Sequence, residues 1–200
     1  MEGMVEVLKE EPARMKGLIE TIQADKGSGK FFLEKSIRLL SEREPSLVYP
    51  YFSEIDLLIE SPNNFIKWGG IITLSNLIAV DEENRFEPLF DQYFSLLNAD
   101  SMITAGNVAS NAWKFVMKNP NWEKEITQRL LKVRENTYLY KGEPSLECKN
   151  IMIGHVLDCF DKYYEVSTLQ EKMIAFAESE VKNPRQSVAR KAQTFLKNHR

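Results

Sequence analysis

The stretch Asp25-Lys26-Gly27-Ser28-Gly29-Lys30-Phe31 contains GSGK, the kind of sequence that can wrap a nucleotide phosphate. A phosphate loop needs G-x-x-x-x-G-K followed by Ser or Thr, because backbone amides cradle the phosphates and the hydroxyl holds magnesium. Ala24 stands where the first Gly is required and Phe31 where the hydroxyl is required. The preceding residues 15–24 read as amphipathic helix, whereas the loop needs a strand there. DKGSGKF is therefore expected to be a flexible turn. A second cluster, Cys148, His155 and Cys159, falls at i, i+7 and i+11, on one face of one expected helix. His155 and Cys159 could share a metal, or a Cys and His could form a nucleophile pair. A tetrahedral zinc would need further ligands, and the other His, His199, is distant in sequence. Free Cys on an apolar stripe behaves as a small hydrophobe. The expectation is core packing, with no metal, no cofactor and no catalytic residue assigned.

The elements that must carry these residues are helical. Phe86, Leu89, Phe90, Tyr93 and Leu97 form one apolar stripe, as do Leu169, Met173 and Phe176, and no period-2 strand is evident. Asp81 is expected to cap the helix carrying Phe86 to Leu97. Pro45 and Pro50 are placed to open helical turns, while Ser61-Pro62-Asn63-Asn64, Asn98 to Ser101 and Lys182-Asn183-Pro184 separate periodic runs. With 200 residues, 43% hydrophobic and 28% charged, the chain has the composition of an ordered protein. Its start has no signal-peptide pattern, and residues 68–80, the longest nearly uncharged run, are too few to span a bilayer. Two unpaired cysteines fit a reducing compartment. A cytoplasmic protein without membrane contact is expected.

Internal repetition sets the fold class. Val188, Ala192 and Phe195 recur 80 positions earlier as Val108, Ala112 and Phe115, and a further 37 earlier as Ile71, Ser75 and Ile78. Ile151 with His155 supplies a fourth match, and Leu33, Ile37 and Leu40 a degenerate first one. The interval accommodates two helices and two turns, the period of a helical-hairpin array. The segment Asn183-Pro184-Arg185-Gln186-Ser187-Val188-Ala189-Arg190-Lys191-Ala192 resembles the turn and second helix of a HEAT unit. This resemblance implies an all-α fold, a right-handed α-α superhelix of HEAT-like helical hairpins. Residues 1–29 would form an N-terminal helix and flexible turn. Residues 30–200 would form the repeat domain of about four to five hairpins.

Such a fold implies an extended surface and little about activity. Asn107 and Asn150 share one repeat position, with Gly70 before and Ser187 after, so a polar ladder could hold an extended peptide as in armadillo-type grooves. Helix-end capping explains the same residues. Trp68 is the tryptophan expected to be most exposed. A non-enzymatic module or scaffold binding a protein or peptide on its concave face is the expected function, with Lys67, Trp68, Asn107, Lys149 and Asn150 as binding candidates. The alternative is nucleic-acid binding, similar to the alkylpurine DNA glycosylases built from HEAT-like pairs. It rests on Lys182, Arg185, Arg190, Lys191 and Lys197 in a C-terminal stretch without acids. The net charge of −3 and the absence of a Trp-Asp pair disfavour it.

Overall fold

The computed structural model describes residues 2–200, and these are helical apart from one short hairpin. The chain divides into two compact units, one ending at Phe90 and one spanning Asp91–Arg200. No helix of the described residues is long and apolar enough to cross a membrane.

Unit 1 contains α1 (Glu2–Glu10), α2 (Met15–Ala24), α3 (Gly29–Arg43), α4 (Pro45–Val48), α5 (Phe52–Asp56) and α6 (Asn64–Leu77). Apolar spacing decides which faces are covered: Val5 and Leu8 on α1, and Met15, Ile19 and Ile22 on α2, are all in the core. Both helices pack against α3, and the Arg43 guanidinium donates two hydrogen bonds to the Glu2 carboxylate at 2.7 and 3.0 Å. Residues 2–29 thus hold two helices that share the core of α3, and a short turn leads from α2 into α3. In that turn the Gly27 amide donates to Asp25 Oδ1 (2.7 Å) and the Lys30 ammonium to the Asp25 carbonyl (2.9 Å). The lysine that would have met a phosphate is occupied with its own loop.

α6 starts with Asn63 as its cap, the side chain accepting from the amides of Phe65 and Ile66. It lies against α3 and against the 3₁₀ turn Leu57–Glu60. Contacts between residues 34 and 69 and between 41 and 76 show that α3 and α6 run in the same direction. Beyond α6, Asp81 is buried and accepts from the Arg85 and Phe86 amides and from the Tyr49 hydroxyl at 2.5 Å. The single helix expected from Phe86 to Leu97 is instead broken into short pieces: a 3₁₀ turn at Glu87–Leu89, helix α7 (Phe90–Ser95) and a 3₁₀ turn at Leu96–Asn98. Pro88 sits in the first turn of the Glu87–Leu89 piece, where its missing amide is tolerated.

Unit 2 continues with α8 (Met102–Lys118), α9 (Glu123–Leu131), the strands β1 (Leu139–Tyr140) and β2 (Glu143–Pro144), α10 (Leu146–Tyr163), α11 (Gln170–Glu180) and α12 (Gln186–His199). α10 packs between α8 and α12. Ser110 meets His155 and Lys162 lies over Trp113, so α8 and α10 are parallel. Glu147 pairs with Arg185, Asp158 with Lys191 and Asp161 with His199, so α12 is parallel to α10. The rings of Tyr93, Phe94 and Phe115 cluster at 5.0–5.3 Å between centroids in the core. Burial of such a side chain contributes about 1.5–3 kcal/mol.

The recurring anchors Ile71, Ser75 and Ile78, Val108, Ala112 and Phe115, and Val188, Ala192 and Phe195 are all buried. The α10 match is one residue out of step. Ile151 and His155 are half-buried, and the core row is Met152, Val156 and Cys159. In the first copy Ile37 and Leu40 are buried while Leu33 is half-buried.

The hairpin was not expected. β1 and β2 pair antiparallel around Lys141 and Gly142, whose φ values of 54° and 86° place both in the left-handed region. Such a two-residue turn matches the strand twist but favours Asn or Gly at its first position. Lys141→Gly is expected to stabilise the protein by about 0.5–1 kcal/mol, read as a higher urea midpoint.

Candidate binding surface

Burial pushes the Cys159 thiol up to about 12, so no thiolate forms at neutral pH. His155 Nδ1 is 2.9 Å from the Ser110 hydroxyl, and the imidazole fits against Gly106, where a Cβ would lie 3.2 Å from Cδ2. Burial first, and the Lys191 charge second, hold the imidazole below its ordinary value and therefore neutral. Cys148 is buried too. Among the described residues no three His, Cys, Asp or Glu side chains group closely enough to hold a metal ion. This cluster joins α8 to α10.

The sequence-nominated binding residues separate into two places. In unit 1, Lys67 and Trp68 are half-buried on α6. The Trp68 ring meets Phe65 edge-on at 5.1 Å, and Phe65 meets Phe31 at 5.7 Å. Phe65 is 63% exposed, more than its half-buried neighbour Trp68.

In unit 2, Asn107 and Asn150 do not form a ladder. With α10 shifted by one residue, the counterpart of Asn107 is Ile151. Asn150 is buried, and its Oδ1 accepts from Asn183 Nδ2 at 3.1 Å in the turn before α12. Asn183 also donates to Glu180 at 2.7 Å and accepts from the Arg185 amide at 2.9 Å. Asn150 therefore stitches a turn. Asn107 is half-buried on α8.

Lys149 is the nominated residue that faces open space. It is half-buried and lines a cleft of about 300 Å³ with Thr137, Tyr138, Pro144, Ser145 and Leu146. The floor is fixed: Tyr138 is fully buried, and its hydroxyl donates to the Leu97 carbonyl at 3.0 Å. Backbone bonds set the walls. The Leu139 amide donates to the Asp100 carbonyl and the Ser145 amide to the Tyr138 carbonyl, tying the hairpin to the starts of α8 and α10. Ser101 and Ser145 cap those two helices. At this end Leu146 is 66% exposed, Tyr140 62% and Ile103 48%. An exposed apolar group of this kind marks an interaction surface more often than a scattered single residue does. Lys-Gly between β-prone Tyr-Leu-Tyr and Glu-Pro was the sequence signal for the hairpin, but its strands are too short to show alternation.

Two of the five C-terminal basic candidates have acidic partners. Arg185 pairs with Glu147, Lys191 with Asp158, and Arg190 donates to Gln186 at 2.7 Å. Lys182 and Lys197 are exposed. Exposed pairs of this type contribute roughly 0–1 kcal/mol, yet they cancel the charge a phosphate backbone would meet.

No protein-family model, curated protein sequence or solved structure matches the chain significantly.

Proposed function

We propose that the chain is a non-enzymatic interaction module of HEAT-like helical hairpins arranged as a right-handed superhelix, and that it binds a protein or peptide. Parallel α8, α10 and α12, parallel α3 and α6, and the recurring buried triads support the hairpin reading. The observation that carries the binding reading is the apolar end of unit 2, where Leu146 lines the cleft and Tyr140 on the hairpin and Ile103 at the start of α8 are also exposed. A helical-hairpin array offers an extended concave face, and an Asn107–Asn150 ladder would line it. With Asn150 committed to Asn183, the binding surface moves to the end where α8 and α10 begin. The nucleic-acid alternative loses ground because Arg185 and Lys191 already have acidic partners.

The test is selection of displayed random 12-residue peptides on the immobilised protein. Enriched peptides should bind with a Kd in the range of roughly micromolar, and Tyr140→Ser with Leu146→Ser should weaken them by about tenfold or more. The melting temperature should be unchanged, since both side chains are exposed. A selection that enriches nothing, or peptides indifferent to the double variant, would overturn the assignment.

A further inference from the structure

We propose that the cleft beneath the hairpin recognises a peptide in which a bulky apolar side chain stands next to a carboxylate. This rests on the reading of the chain as a peptide-binding module and adds the chemistry of the partner. The apolar half of the site is Leu146 and Pro144 with the Tyr138 floor, and Tyr140 is exposed on the adjoining hairpin strand. The polar half is the Lys149 ammonium, which lines the cleft and has no ion pair among the described residues. A lysine without an ion pair beside an apolar cleft is complemented by a carboxylate arriving with the ligand.

Lys141 supplies a second, independent indication. It occupies a left-handed turn position where Asn or Gly is favoured, so its side chain is kept at a cost in stability. Its ammonium lies 5.4 Å from the centre of the exposed Tyr140 ring and has no ion pair among the described residues. Among the described residues no acid of the adjoining elements forms an ion pair with either lysine. Glu147 is held by Arg185, Glu143 stands across the hairpin from Tyr140, and Asp100 precedes the cap of α8. Lys149 in the cleft and Lys141 on the hairpin thus bring two cations without ion pairs to this end of the unit. An apolar peptide without acid would leave Lys149 unpaired, and a basic one would meet repulsion.

The experiment compares 12-residue peptide pools selected on the wild-type protein and on Lys149→Glu. Wild-type pools should be enriched for Leu, Ile, Phe or Met adjacent to Asp or Glu. Lys149→Glu should bind those peptides at least about tenfold more weakly, while Lys149→Arg stays within about threefold. Changing the peptide carboxylate to its amide should cost wild type a similar factor and cost Lys149→Glu little. Folding is not at risk, because an acid in the first turn of α10 favours the helix dipole. Enriched peptides without acids, or equal binding by Lys149→Glu, would overturn the proposed chemistry while leaving the module reading standing. Failure to enrich any peptide would overturn both.

Discussion

Glu123→Ala is expected to lower the stability of unit 2 by about 3–5 kcal/mol, a large part of the total for a domain. Glu123 opens α9 and is only 3% exposed, yet it carries a carboxylate. Three hydroxyls hold it: Ser167 and Thr168 at 2.6 Å and Thr127 at 3.0 Å. Because the Thr127 proton goes to Glu123, the 2.8 Å contact with Tyr163 must have the phenol as donor. Burial keeps Tyr163 protonated well above its ordinary range, so it can serve. The network joins the start of α9, the end of α10 and the loop before α11. Removing the carboxylate strands three donors at once. Glu123→Gln keeps acceptor oxygen and volume, and should cost about 1–2 kcal/mol in urea melts.

The pH dependence has a definite sign. Burial raises the Glu123 carboxyl, but the hydrogen bonds from Ser167, Thr168 and Thr127 outweigh it and leave it below its ordinary 4.5. The unfolded chain therefore binds the proton more readily. The stabilisation is complete above about pH 4.5 and is lost as the pH falls through the depressed folded value. The wild-type advantage over Glu123→Gln should shrink across that interval. An advantage that stays constant there would show that the hydroxyls do not favour the charged form.

How far the sequence led can be judged at single residues. Helical spacing identified the core rows on α6, α8 and α12 because large and small residues alternate there with the period of close helix packing. On α10 the match by residue type chose Ile151 and His155, one place off Met152 and Val156. Spacing alone could not show that Gly106 on the facing helix leaves room for an imidazole at the interface edge. The same displacement produced the apparent equivalence of Asn107 and Asn150. Burial of Asn150 depends on Asn183, thirty-three residues away, a pairing no local pattern encodes. Leu146 and Tyr140 were invisible for the opposite reason. An apolar letter states a preference for cover, and only the assembled fold shows that nothing in the unit covers them.

Adjacent glycines on α6 should respond very differently to the same substitution. Gly70 faces main chain: a Cβ there would lie 2.8 Å from Leu58 Cβ and 3.1 Å from both Leu58 C and Ile59 N. The turn Leu57–Glu60 cannot yield without moving Leu58 and Ile59 out of the core. Gly70→Ala should therefore cost about 2–3 kcal/mol, even though Ala favours a helix by about 1 kcal/mol. Gly69 faces only a side chain, with Glu34 Oε1, Cδ and Cγ at 2.0, 2.3 and 2.5 Å from the added atom. That carboxyl is bonded to Arg38 at 2.8 Å and is raised above its ordinary value chiefly by burial. Gly69→Ala must expel it, at a cost of about 1–2 kcal/mol. Glu34→Ala in the same chain removes the obstacle and a desolvated acid together, so the double variant should match or exceed wild type in stability. Glu34→Ala should give Gly70→Ala no such relief. Urea melts of the five variants decide it: equal responses at the two glycines, or rescue of both by Glu34→Ala, would mean that α6 is not seated on the Leu58 backbone.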